Sequence, residues 1–379
     1  MPPDAPIGPQ GPSRLHWLDL LRFLAAFAVV VVHARGHALV EFGSLPPEQR
    51  TNAVFALFAL TRVGSEAVTI FFVLSGFLVG GKALERIVAG RFRLADYAID
   101  RISRIYVPLV PALCLSALVA GFIPADRSPL SFLGNLVGLS GIAVEPFGLN
   151  RPLWSLSYEI WFYVLAGAIG IAASVRGLHL RAACAIILVA SLFTVLSPTY
   201  LFCWVIGALA YWRRPARPSI ALWVTAFVLM AYGTLGVEIG MVSDSVKGLG
   251  IARFVPSWDI SHILLSTGTA ILIQQLILWE PKRGWVAWVE RVGTPLGAFS
   301  YTMYLVHYPI IRYLVTRGHD RQPQIDGDSV GSMLLMIAAS LLGSVVMYLL
   351  FERHTAAVRR FLKSLWARRG GRDAMDAST

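Results

Sequence analysis

Apolar runs almost free of charge recur along the whole chain, separated by short polar segments rich in Arg, Gly and Pro. A helix needs roughly 20 apolar residues to cross about 30 Å of hydrocarbon, and a backbone in lipid must satisfy its polar groups within the helix itself. The pattern therefore predicts about ten spans, near 17–34, 67–81, 105–123, 153–173, 182–196, 200–212, 220–235, 260–279, 296–315 and 330–351. The runs at 182–196 and 200–212 are short and divided by Ser197-Pro198, which fits either a re-entrant hairpin or two tilted helices. The expected fold class is an all-α membrane protein, a bundle of about ten transmembrane helices. No internal repeat is visible. Residues 1–16, with Pro2, Pro3, Pro6, Pro9 and Pro12, read as a disordered lead; 17–352 form one membrane domain, and 353–379 form a basic tail. No cleavage-site pattern follows the first apolar run, so that run is expected to remain as a helix.

Composition agrees with this pattern. Of 379 residues, 56% are hydrophobic and 15% charged, and the mean hydropathy of +0.63 excludes an ordinary soluble protein. A net charge of +11 invites a nucleic-acid reading, but the Arg residues lie between apolar runs rather than in one basic domain, and no nucleic-acid partner is expected. Membrane topology accounts for them better. Of the 33 Lys and Arg, 22 fall in the alternate loops that include both termini, 10 in the opposite loops or the span end beside them, and Arg22 lies inside the first span. Both termini are therefore predicted to be cytoplasmic. Cys114, Cys184 and Cys203 sit in apolar stretches and read as small hydrophobes, without a disulfide or metal role.

The informative residues are ionisable ones inside spans, because each costs a few kcal/mol at the membrane centre and normally faces a cavity or a partner. The first span carries Asp19, Arg22 and His33. The step from Arg22 to His33 amounts to three turns plus about 20°, so both project from one helix face, about 16 Å apart along the axis. Arg22 then faces the cytoplasmic side and His33 the outer leaflet. Asp19 and Arg22 also fit a plain interfacial ion pair, with His33 capping the helix end. A histidine, however, suits proton removal from a sugar hydroxyl near neutral pH, or acceptance of an acyl group on nitrogen.

Two more spans carry such residues. In Pro152-Leu153-Trp154-Ser155-Leu156-Ser157-Tyr158-Glu159, Glu159 lies about one and a half turns into the fourth span, with Ser155 on its face. Glu159 is a candidate to orient or charge-stabilise His33 or to bind acceptor hydroxyls, and Trp154 to stack on a sugar; a hydrogen bond that only joins helices is the alternative. In the ninth span, Ser300, Tyr304 and His307 share a face and Tyr301 lies about a quarter-turn away. Pro309 frees the carbonyl of Leu305 and predicts a kink beside His307. A buried histidine satisfied by a neighbouring hydroxyl explains His307 equally well. On the cytoplasmic side, Arg91, Arg93, Arg101 and Arg104 cluster before the third span. Such a cluster suits a multiply phosphorylated nucleotide, although positive-inside topology also produces it. Leu74-Ser75-Gly76-Phe77-Leu78 fits close helix packing and not a phosphate loop.

Taken together, these residues give the chain a resemblance to the acyltransferase-3 family of integral membrane acyltransferases. The matching features are Arg22 with His33, the segment from Phe71 to Phe77, Arg101 with Arg104, Trp154 to Glu159, and Ser300 to Pro309, in the family's order and across nearly the whole chain. The resemblance implies a bacterial inner-membrane O-acyltransferase with an acyl-CoA donor, acetyl-CoA foremost, on the cytoplasmic face and a carbohydrate acceptor outside. Exopolysaccharide, lipopolysaccharide and lipo-oligosaccharide are acceptors of the kind implied, and no cofactor is bound permanently. It implies that His33 lies closest to the chemistry with Glu159 in support. By the same resemblance Arg22, Arg101 and Arg104 hold the donor, and His307 lines the site. Trp154, Ser155, Tyr301 and Tyr304 are further substrate-binding candidates. Where the family's last helix usually ends Glu-Arg-Pro, this chain reads Glu352-Arg353-His354, so the helix is expected to run on into the tail. The rival function is a transporter or flippase of a glycolipid or polysaccharide precursor, but the paired broken helices of such proteins are not visible here.

Overall fold

The computed structural model describes residues 16–174, 179–213, 215, 217–241, 255–279 and 283–376. Nearly all of the expected lead at 1–16, and most of the segment between the expected spans at 220–235 and 260–279, lie outside the described residues.

The described residues fold as helices without strands. They are α1 (His16–Ala38), α2 (Asn52–Leu60), α3 (Gly64–Ser75), α4 (Lys82–Val88), α5 (Leu94–Val119), α6 (Pro129–Leu136), α7 (Leu153–Ser174), α8 (His179–Val195), α9 (Pro198–Trp212), α10 (Ile220–Met241), α11 (Trp258–Leu278), α12 (Arg283–Ala298), α13 (Ser300–Val315), α14 (Gly327–Leu350) and α15 (Thr355–Asp376). Among the described residues, seven helical segments are long and apolar enough to cross a membrane, fewer than the ten expected spans. The shortfall has a physical cause. Pro198 at the start of α9 splits the apolar run into α8 and α9, each short of a full crossing by itself. The expected span at 296–315 breaks at Phe299, leaving α13 with 16 residues.

A wide helical turn over Gly76–Gly81 joins α3 to α4, so the segment around the expected span at 67–81 continues as one rod. Its glycines serve contact with α9. A Cβ at Gly76 would stand 1.9 Å from the Trp204 carbonyl oxygen, and one at Gly207 only 2.1 Å from that of Val73. Small residues let the two backbones touch where lipid supplies no hydrophobic drive for association. Gly207→Val is expected to destabilise the fold by about 3 kcal/mol or more, because backbone on the partner helix has no free rotamer to yield. A thermal melt in detergent measures this.

The core is made chiefly of α1, α3, α5, α7, α9, α11 and α13. Exposed apolar side chains such as Ile187, Leu188, Phe227, Val228 and Leu342 form a perimeter that suits acyl chains. Beyond α14, Glu352–His354 make one tight turn and the chain continues as α15. That helix docks on α5, with Lys363 Nζ 3.1 Å from Asp100 and 3.5 Å from Asp96.

Candidate active site

Two cavities lie at opposite ends of α1. The first, about 410 Å³, is lined by Arg22, Arg101, Arg104, Glu159, Tyr301 and Tyr304 among others. The second, about 400 Å³, is lined by His33, His37, Tyr308, Arg151, Arg312 and Arg321 among others. The three-turn step between Arg22 and His33 delivers one to each cavity.

The first cavity is built around arginine. Arg22 is held by Asp19 at 2.9 Å, one turn earlier on α1. Arg104 Nη1 donates to Glu352 Oε1 at 2.6 Å and lies over the Tyr301 ring. Glu352 is buried, and its other oxygen accepts from the Thr302 backbone N–H at 3.2 Å and its hydroxyl at 2.5 Å. This carboxylate thus ties α5 to the first turn of α13. Arg101 lies over the Tyr163 ring, whose hydroxyl donates to Glu159 at 2.5 Å. Lys82, Arg86 and Arg359 add cationic groups to the lining, and Asp100 adds a carboxylate. Arg359 and Thr355 come from α15, so the last helix helps to wall this cavity.

At the second cavity, His33 Nδ1 lies 3.0 Å from His307 Nε2, with the rings stacked. His307 is fully buried, and its Nδ1 lies 3.0 Å from the Met303 carbonyl. A carbonyl only accepts, so His307 Nδ1 bears the proton, and the neutral ring presents a lone pair at Nε2. His33 then donates from Nδ1, which leaves its own Nε2 as the lone-pair nitrogen. This network assigns the tautomer of both rings. Tyr308 packs edge-on against His33 and lies within 3.3 Å of His37 Nε2.

The wall between the cavities is thin. Tyr304 lines the first, bonds Ser155 at 2.5 Å and packs on His307, which reaches His33. The carbonyl that Pro309 frees is satisfied from outside the helix. Asn150 Nδ2 donates at 3.0 Å to the Leu305 carbonyl, the group that Pro309 leaves without a partner. The same amide reaches Ser116 on α5 at 3.1 Å.

Several candidates occupy positions unlike those expected. Glu159 bonds Tyr163 and lines the first cavity with Arg22, so the partner of His33 is His307 and not a carboxylate. The substrate-binding candidates Ser155, Tyr301 and Tyr304 line the first cavity. Trp154 lines neither; it packs against Tyr158 and Tyr200, its ring taken up by that aromatic cluster. His37, Asn150 and Arg151 are not singled out by the sequence, and Tyr308 and Glu352 show there only as parts of longer motifs. His37 carries a readable signal, standing one turn beyond His33 on the same face.

A family model described as an acyltransferase domain matches residues 15–349. The O-acetyl transferase of Shigella phage Sf6 is 26% identical over 319 residues, covering 79% of this chain and 86% of that protein. The acyltransferase MdmB of Streptomyces mycarofaciens is 26% identical over 323 residues, covering 79% of this chain and 80% of that protein. No solved structure matches the chain.

Proposed function

This chain belongs to the acyltransferase-3 family of integral membrane acyltransferases, and from that premise we propose that it moves an acetyl group from cytoplasmic acetyl-CoA to a carbohydrate hydroxyl outside a bacterial inner membrane. The observation that carries this reading is the pair of cavities, one rich in arginine and one holding a histidine base, separated by Tyr304 and His307. The O-acetyl transferase name of the phage relative supports acetyl as the group transferred. The loop charge pattern supports cytoplasmic termini, and in this reading the shorter helices α8, α9 and α13 complete the ten expected spans beside the seven long segments.

In this reading the CoA phosphates dock on Arg101 and Arg104, which suit phosphate oxygens through bidentate hydrogen bonds. Arg22, deeper along the same cavity, helps to hold the donor. The pantetheine arm extends towards Tyr304, so the thioester approaches the wall while the nucleotide stays at the cytoplasmic face. His33 Nε2 takes the proton of the acceptor hydroxyl as its oxygen attacks the thioester carbon. The C–O bond forms, the C–S bond breaks, and CoA leaves as the thiolate. A Tyr301 or Tyr304 hydroxyl stabilises the oxyanion that develops. Glu159, bonded to Tyr163, supports the donor cavity.

Arg101→Ala is expected to raise KM for acetyl-CoA about tenfold with a smaller change in kcat, the pattern of lost ground-state binding. Steady-state release of free CoA thiol by protein in nanodiscs measures it. Mass spectrometry of surface glycans from deletion and complemented strains tests the transfer itself. Acetylation unchanged by the deletion would remove the proposal.

A further inference from the structure

The two cavities differ in charge balance. The first offsets its cations with Asp100 and Glu159, and Arg104 has Glu352 behind it. The second presents Arg151, Arg312 and Arg321, and no Asp or Glu lines it. Among the described residues Arg151 and Arg312 form no ion pair, and Arg312 Nε is buried without a hydrogen-bond partner. Arg321 is spent only in part, donating through Nε at 3.0 Å and through Nη2 to the Gly36 carbonyl at the end of α1.

These three cations reach the cavity from three separate segments, each fixed. Arg312 stands on α13 five residues beyond His307. Arg151 follows Leu149, a non-glycine residue with φ of 59°, and Asn150, fully buried and hydrogen-bonded to α13 and α5. A left-handed leucine costs about 1 kcal/mol, so contacts such as those of Asn150 must outweigh it to hold the loop against the cavity. The segment carrying Arg321 is tied to α1 by Gln322 N–H donating to the Ala38 carbonyl at 3.1 Å. Three guanidinium groups around about 400 Å³ repel one another unless an anion enters between them.

We infer that the acceptor enters the second cavity as an anion, with a carboxylate or phosphate held by Arg151, Arg312 and Arg321 so that a nearby hydroxyl meets His33. This rests on the proposed acyltransfer for its identification of the cavity as the acceptor side. The anion belongs either to the glycan, as in a uronic acid or a phosphorylated sugar, or to the phosphate of a polyprenyl carrier.

The test is binding to the full chain in phosphatidylcholine nanodiscs, with methyl glucuronoside, methyl glucoside and polyprenyl phosphate as probes. A glycan-borne anion predicts that the glucuronoside binds about tenfold tighter than the glucoside, the difference of one charged hydrogen-bonded contact. A carrier phosphate predicts instead that polyprenyl phosphate binds and the glucuronoside shows no preference. In either arm Arg312→Gln and Arg151→Gln are expected to weaken the anion severalfold. The probe comparison uses the unaltered protein, so it stands even if a variant fails to fold. The inference is overturned if neither anionic probe binds more tightly than the glucoside, or if their binding does not depend on the arginines. Acetyl-CoA turnover, measured separately, reports on acyltransfer: its absence alongside anion binding would sink that reading and leave the anion site standing.

Discussion

His33→Ala is expected to lower acetyl transfer by about 1,000-fold in a protein whose thermal melt is unchanged, because removing a general base typically costs about 100- to 10,000-fold. The unchanged melt follows from position. His33 is only partly buried at the cavity surface, and its loss leaves His307 still bonded to Met303. His307→Ala should cost less, about 100-fold, since His33 keeps its lone pair but loses the partner that fixes its ring. If His33→Ala retained near-normal turnover, Nε2 of His33 would not be the base.

Glu352→Ala is expected to produce the largest loss of stability of any single change near the first cavity. Glu352 is almost wholly buried, and its removal strands Arg104 together with the N–H and hydroxyl of Thr302. Breaking a buried ion pair from one side costs about 3–5 kcal/mol, and a value near 3 applies because Arg104 is one-third exposed. KM for acetyl-CoA should rise with it, since Arg104 would no longer be held over Tyr301. Glu352→Gln keeps an acceptor for Thr302 and should recover part of the stability but not the donor affinity. Denaturation in mild detergent and donor saturation curves separate the two effects.

What could be read from the sequence follows from what each residue must satisfy locally. Arg22 and His33 lie on one helix, so the helical period alone sends them to different depths on one face. Pro309 announces a carbonyl in need of a donor, but only the fold identifies that donor as Asn150, 155 residues away in sequence. Glu159 was legible as a buried carboxylate, yet its partner was not. The period places Tyr163 one turn beyond it on the same helix, and that nearer hydroxyl satisfies it while His33 pairs with His307. The ten expected spans and the seven long helical segments differ where apolar runs are interrupted. The helices α8, α9 and α13 are short because Ser197-Pro198 and Phe299 interrupt apolar runs, a break that hydropathy averages over. The arginines of the second cavity were invisible as a group because three separate segments supply them.

The claim that the two cavities serve one reaction from opposite faces is tested most directly by sidedness. Proteoliposomes with a single protein orientation would receive labelled acetyl-CoA on one face and an extract of the surface glycan on the other. Labelled glycan is expected only when acetyl-CoA is on the face of Arg101 and Arg104 and the glycan on the face of His33, with no label transferred by His33→Ala. Label appearing only when both substrates share one face would contradict it.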